Sequence, residues 1–372
     1  MDNLTHTLFG LCLAKSGLER ATPLATATLV ISSNLPDIDA LMRLRGSLSN
    51  LEYHRGITHS FVGLAVLAGL LTLLLAVADR RFRTSRDPFR RPIRPPRILL
   101  LAYLGGLGHL FMDFTNSYGV RPLLPFSGRW FYGDLAFVSD PWIWLILGSA
   151  AVWLTAKTAT RALIWLVIGT GLGLLVALAF RSPTESSLMA IPPLPIPTLV
   201  RVIWFAGLAA VLLGALLRWG RAGPKVARYS LLFLALYYAG MGTLKQSALR
   251  QAGNSLPAAA AVSIAAWPEP GDPLRWQSVA AFRDSLFAAH ITVGRPDIEW
   301  QELPALDSRF AGALRESREC RVFLDFARYV SATVEEREDG YTVGLRDLRL
   351  PMRLNVRLNA DLTVESTDFH WF

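Results

Sequence analysis

The chain has 372 residues, of which 52% are hydrophobic and only 18% charged, whereas roughly a quarter of residues are charged in an ordinary soluble domain. That excess of apolar residues excludes one water-soluble globule and implies several bilayer spans. The net charge of +9 is unevenly placed, with 23 Lys+Arg against 11 Asp+Glu in residues 1–244 and 15 against 18 in residues 245–372, so the basic excess belongs to the apolar half.

In chain order, the N-terminus carries Asp2 and His6 where a cleavable signal would carry basic residues, so no signal removal is expected. Residues 4–18 and 22–40 are weaker helix candidates. The first would be about 22 Å long at 1.5 Å per residue, short of a full crossing. "DNLTH" (2–6) puts Asp2 and His6 one turn apart on one helix face. Asp2 there is also a natural N-cap. "NLPDID" (34–39) sets Asp37 and Asp39 across a proline-broken helix end, either turned toward a common site or forming a capped, solvated turn.

"HRGITHS" (54–60) stands directly before "FVGLAVLAGLLTLLLAVA" (61–78). Two histidines five apart would point about 140° from each other on one helix. Their convergence requires His54 in the loop, a bend at Gly56, a cap at Thr58 or Ser60, and His59 on the helix. A helix N-terminus disfavours imidazolium, which keeps such histidines neutral, as metal ligation requires.

Spans are expected at 58–79, 98–115, 137–156, 160–180, 199–218 and 228–245. "DRRFRTSRDPFRRPIRPPR" (79–97) holds eight arginines and "RWGRAGPKVAR" (218–228) four basic residues. Both read as cytoplasmic loops, and their position between spans outweighs a nucleic-acid reading. Four spans between them keep the count consistent. Inside segments then hold 16 basic residues and outside segments with their borders seven, including Arg43, Arg45 and Arg55.

In that orientation Asp2, His6, Asp37, Asp39, Glu52, His54, His59, His109, Asp113, Asp134 and Asp140 all fall at outer helix ends or in outer loops. "HLFMD" (109–113) repeats the one-turn His/Asp pairing. Each pair alone is as well explained by a simple hydrogen bond, but several on one membrane face point to a functional centre. Imidazoles and carboxylates without thiolates suit Zn²⁺, with Mn²⁺ or Fe²⁺ also possible. The number of donors exceeds one tetrahedral site, so two or more ions are expected.

"MDNLTHTLFG", "NLPDID", "HRGITHS", "GHLFMD" and the "LLPFS...RWFYGD......DPW" stretch (123–142) together resemble the YdjM-like family of membrane-bound, predicted metal-dependent hydrolases, also called LexA-binding inner-membrane proteins. The resemblance covers about residues 1–145. It implies a metal set of Asp2, His6, Asp37, Asp39, His54, His59, His109, Asp113 and Asp140; Asp134 lies in the same stretch but outside that set. The helical HxxxD motif is also similar to those of zinc-dependent phospholipases C and single-strand nucleases. This implies phosphoester or ester hydrolysis of a membrane lipid or lipid-linked substrate by metal-activated water. Asp37 and Asp113 are then the candidate catalytic carboxylates, and Arg55 either grips a phosphate oxygen or anchors the chain at headgroup level. A divalent-metal transporter or metal-binding sensor or scaffold is the alternative, but transport calls for mid-membrane ligands.

"RSPTESSLMAIPPLPIPT" (181–198), with five prolines, reads as a stiff outer loop. Beyond about residue 249 the pattern becomes period-2 with turn signals at Asp339-Gly340 and Asn359–Asp361. One or two helices are expected over 307–327. The expected architecture is a polytopic α-helical membrane domain of about eight helices (1–248), the first short, followed by a soluble α+β domain (249–372). Both the centre and that domain are placed outside an inner membrane. His290 and His370 are left out of the site, and Cys12 and Cys320 are too separated to suggest a disulfide framework.

Overall fold

The computed structural model describes residues 1–87, 89–179, 196–217, 223–256 and 261–371. The chain forms two compact units: Met1–Ile38, Arg55–Arg181 and Ile196–Met241 make the first, while Asp39–His54 and Gly242–Phe372 belong to the second. Most of the proline-rich 181–198 stretch lies outside the described residues.

The first unit is helical. α1 (Asn3–Lys15) starts at Asp2, whose carboxylate accepts from the Thr5 amide at 2.9 Å. α2 (Ala25–Ser32) has only eight residues, about 12 Å, so the expected helix over 22–40 is corrected. Pro36 offers no amide donor and disfavours helical backbone before it, and the chain continues as a 3-10 stretch, Leu35–Arg45. α4 (Phe61–Ala78) is capped by Ser60, whose hydroxyl accepts from Gly63 N at 3.0 Å. It runs on through a π-helical turn, Asp79–Thr84.

α5 (Pro95–Phe114), α6 (Pro141–Thr155), α7 (Ala159–Ala179) and α8 (Thr198–Leu216) lie between the two basic segments. The last helix, α9 (Gly223–Ser255), is longer than the expected 228–245. Four stretches among the described residues are long and apolar enough to cross a membrane: Phe61–Thr84, Pro95–Phe114, Ala159–Leu178 and Thr198–Leu216. α6, with 15 residues, falls short of that length.

The Pro95–Phe114 stretch has the lowest mean hydropathy of the four, 1.3, and half of it is buried against 22% for each of the others. α5 is therefore the central helix, and the others present their apolar faces outward. Close approach to α5 depends on missing side chains. A Cβ on Gly105 would lie 2.0 Å from Ser32 Oγ of α2, and one on Gly108 would lie 2.2 Å from Phe9 of α1, the small-residue packing that membrane helices use.

The second unit contains two four-stranded antiparallel sheets, in the orders β1-β2-β3-β4 and β5-β6-β7-β8. The first comprises β1 (Ser263–Glu269), β2 (Asp272–Ala281), β3 (Ser285–Thr292) and β4 (Gln301–Pro304), with its register shifted at Pro268/Glu269. The second comprises β5 (Val330–Arg337), β6 (Gly340–Asp347), β7 (Met352–Asn359) and β8 (Val364–Trp371). Both expected turns connect its strands. β7 buries Met352, Leu354, Val356 and Leu358 and turns the residues between them outward, the alternation of a sheet with one covered face.

Two helices, α10 (Ser308–Leu314) and α11 (Arg318–Phe326), occupy the expected 307–327 region. α11 buries Cys320, Phe323 and Phe326, and Phe323 meets Phe369 of β8 edge-on at 6.3 Å. α3 (Ser47–Tyr53) packs in this unit, against α11 and β8. Cys12 and Cys320 are both buried and free. Burial pushes the Cys320 thiol above its ordinary value, as befits an inert core thiol.

Candidate metal centre

His109 and Asp113 stand one turn apart near the C-terminal end of α5, both fully buried, with Nε2 and Oδ2 3.4 Å apart. The i,i+4 spacing read from the sequence places both on one face, as expected. His59 enters from the turn before α4. Its Nε2 is 3.0 Å from His109 Nε2, 3.3 Å from Asp113 Oδ2 and 3.4 Å from Asp37 Oδ1. Asp37 arrives from the 3-10 stretch after α2. One donor atom from each of Asp37, His59, His109 and Asp113 lies within 4.8 Å of all the others.

α4 leaves this cluster and α5 returns to it, so the arginine-rich 79–97 segment lies at the opposite end of the two helices. His6, fully buried on α1, stacks on His109 with ring centroids 3.8 Å apart. Its Nε2 is 3.4 Å from Asp113 Oδ1.

The hydrogen-bond partners of the histidines favour a cation. His109 Nδ1 is 2.8 Å from the carbonyl oxygen of Ser33; a carbonyl only accepts, so Nδ1 carries the proton and the neutral ring turns its Nε2 lone pair toward the cluster. His59 is arranged similarly, with Nδ1 3.0 Å from Thr58 Oγ1. Holding the outer nitrogen of a histidine to an oxygen is how proteins orient metal-binding imidazoles. Both ring nitrogens of His6, Oδ2 of Asp37 and Oδ2 of Asp113 are buried without a hydrogen bond. Each such atom costs about 1–3 kcal/mol if left unsatisfied, and a divalent ion would satisfy the two carboxylate oxygens, which belong to residues of the four-donor group. The donor set fits the expected metal.

Asp113 divides its two oxygens. Oδ1 accepts from Arg55 Nη2 at 2.9 Å and from the amino group of Met1, while Oδ2 faces the histidines. Arg55 is 2% exposed. It also donates to Asn116 Oδ1 at 3.1 Å and to the Gly119 carbonyl at 3.0 Å, and its guanidinium lies 4.4 Å from the centre of the Tyr118 ring. These partners hold it as a clamp on Asp113. The sequence reading missed Asn116 and the Gly119 carbonyl; the signal was the polar "TNSYG" run directly after α5.

The remaining residues of the nine lie outside this four-residue group. Asp2 caps α1, accepts from Thr5 Oγ1 at 2.7 Å and also from Trp144 Nε1. Asp140 caps α6 through the amides of Trp142 and Ile143, and Tyr237 donates to it at 2.8 Å. Asp39 and His54 form, with Asp37, a second group that could hold a metal ion, its donor atoms within 4.8 Å of one another and His54 Nδ1 2.8 Å from Asp39 Oδ1.

The expected bend also differs in detail. Arg55 itself takes the left-handed backbone, at φ 55°, while Gly56 has φ −81° and ψ −136°. His59 sits in a 3-10 turn, Ile57–His59, ahead of the Ser60 cap rather than on α4. His290 pairs with Glu269 and His370 with Asp368, both away from the cluster.

Residues 1–184 match the model of a family described as YdjM inner membrane protein. The chain is also 27% identical over 164 residues to uncharacterized protein YfhP of Bacillus subtilis (strain 168), an alignment covering 41% of this chain and 46% of that protein. The chain thus spans about half the length of this curated relative. No solved structure matches.

Proposed function

With residues 1–184 matching the model of the YdjM inner membrane protein family, we propose that this chain is a membrane-embedded, metal-dependent hydrolase of a phosphoester or ester in a membrane lipid or lipid-linked substrate. The observation that carries the reading is the convergence of Asp37, His59, His109 and Asp113 donors within 4.8 Å, with the outer histidine nitrogens already held by oxygens. These four residues hold at least one divalent ion, Zn²⁺ best matching the donors, and His6 stands in reach of the same carboxylate. The bound metal supplies a water made acidic enough to ionise near neutral pH and charge to stabilise developing negative oxygens.

The chain's own part is to position. Arg55 fixes Asp113 so that Oδ2 alone faces the histidines, and the Ser33 carbonyl fixes the tautomer of His109. Asp37, whose Oδ2 is buried without a hydrogen bond, would accept the proton of the attacking water, while Asp113, with Oδ1 held by Arg55 and Oδ2 toward the histidines, would hold the ion. Apolar side chains flank the ligands in sequence and stay accessible: Ile38 is 49% exposed, Ile57 49% and Phe61 44%. This favours approach of a lipid chain over a wholly water-borne substrate. The basic 79–97 segment faces the cytoplasm in this reading, which puts the centre on the extracytoplasmic side.

The test is metal analysis of detergent-purified protein together with a panel of lipid phosphoesters. The expected result is at least one equivalent of retained metal and hydrolysis that disappears in Asp113→Asn. Less than one equivalent, with no further loss in His59→Ala, overturns the centre. Retained metal with no turnover, but metal uptake into proteoliposomes, replaces hydrolase with transporter.

A further inference from the structure

The segment over 120–131 contributes no donor to the four-residue group. Val120 and Phe131 close it into a loop by exchanging both backbone hydrogen bonds, at 2.9 and 2.8 Å. The amide of Phe61, the first residue of α4, donates to the Pro122 carbonyl at 3.0 Å. The loop therefore follows closely on one membrane-length stretch, which ends at Phe114, and is pinned to the start of another at Phe61. Both tethers are span ends, so the loop lies at the depth of the membrane–water boundary.

Its composition suits that depth. Phe126 is 86% exposed, and Leu123 is exposed as well. A single exposed apolar side chain needs no explanation on a soluble surface, but these two lie between Arg121 and Arg129, and no Asp or Glu occurs in 120–131. The Arg121 guanidinium lies 4.5 Å from the centre of the Trp130 ring, which stacks with Tyr132 at 6.3 Å and meets Tyr118 edge-on at 6.2 Å. Tryptophan and tyrosine concentrate where hydrocarbon meets water. Arg129 is exposed, its guanidinium 5.3 Å from the centre of the Phe131 ring. The aromatic row leads back to the centre, since Tyr118 also carries Arg55, the clamp on Asp113.

We propose that the 120–131 loop binds anionic phospholipid. Phe126 and Leu123 enter the acyl region, and Arg129 takes the headgroup phosphate, whose oxygens a guanidinium matches in pairs. Arg121 adds a second positive charge to the same loop. The loop thereby selects the charge class of lipid that reaches the centre. That consequence rests on the lipid-substrate reading above, whereas the binding itself rests on the loop.

The test presents the full chain in detergent with equal amounts of phosphatidylcholine and phosphatidylglycerol and counts the co-purifying lipids by mass spectrometry. Phosphatidylglycerol should be enriched, and Arg129→Gln should lower the enrichment about fivefold, the weight of one basic residue at an anionic surface. As a second readout, Phe126→Cys is labelled with an environment-sensitive fluorophore in nanodiscs; Cys12 and Cys320 are buried, which directs the label to the loop. Its emission should be that of apolar surroundings and should be quenched by acyl-brominated lipid. Unchanged enrichment in Arg129→Gln, or water-like emission without quenching, overturns the proposal. Displacement of phosphatidylglycerol by inorganic phosphate also overturns it, because the loop would then be a site for a free anion. Arginine-dependent enrichment in a chain that retains no metal supports the loop's role while bringing down the hydrolase reading.

Discussion

Each unit buries an aspartate–arginine pair, and the two pairs are built differently. In the second unit Asp347 spends both oxygens on Arg349: Oδ1 accepts from its backbone amide at 2.8 Å and Oδ2 from Nη2 at 2.6 Å. Arg349 in turn donates to the Phe326 carbonyl and lies against the Phe326 ring. In the first unit Asp113 gives Oδ1 to Arg55 and leaves Oδ2 facing His59 and His109. A buried charge whose partners are complete is structural; one that turns an oxygen without a hydrogen bond toward two imidazoles is prepared for a ligand.

The largest expected effects separate the pairs directly. Removing either carboxylate leaves a buried guanidinium uncompensated, so Asp113→Ala and Asp347→Ala should each destabilise by about 3–5 kcal/mol, read by thermal unfolding in detergent. Only Asp113→Ala should also lose metal, and equal metal loss in Asp347→Ala would dissolve the distinction. Metal removal comes next. Chelation from a protein held at a hundredfold excess of metal over its dissociation constant should cost about 2.7 kcal/mol of stability. That loss should vanish in His109→Ala, measured by the same unfolding.

A smaller effect sharpens the assignment of the outlying aspartates. Asp140→Ala should cost about 1 kcal/mol as a lost helix cap while retaining the metal content of the unmodified chain; metal loss would return Asp140 to the ligand set. The smallest is a control at the surface, where Asp339→Ala breaks a 3.3 Å contact to half-exposed Arg357. A shift below about 1 kcal/mol is expected, and a larger one would mean that local pairing in the sheet had been undervalued.

The elements that were legible in the sequence are those governed by local rules. The 109–113 pair needed only the helical repeat, the Ser60 cap only its place before an apolar run, and the β5–β8 meander only alternation and two turn signals. Asp2 and Asp140 mark the limit. An aspartate before a helix has the same sequence signature whether it caps or coordinates, and only the neighbouring Trp144 and Tyr237 show where its oxygens go. The bend in "HRGITHS" was legible, but its left-handed residue was not. Glycine is the usual occupant of that backbone region, and Arg55 takes it because Asp113, Asn116 and Gly119 hold the guanidinium from elements far along the chain.

Gly105 and Gly108 hold none of the centre's donor atoms, yet they determine how far apart those atoms stand. α5 supplies His109 and Asp113, α1 supplies His6, and the turn after α2 supplies Asp37. At both glycines the neighbouring element comes closer than an added methyl would allow without a shift, Ser32 Oγ at 2.0 Å and Phe9 at 2.2 Å from the added Cβ. The aperture of the centre is thus encoded in side chains that are not there. A single methyl at Gly105, one turn before His109, would widen it while leaving every ligand in the sequence.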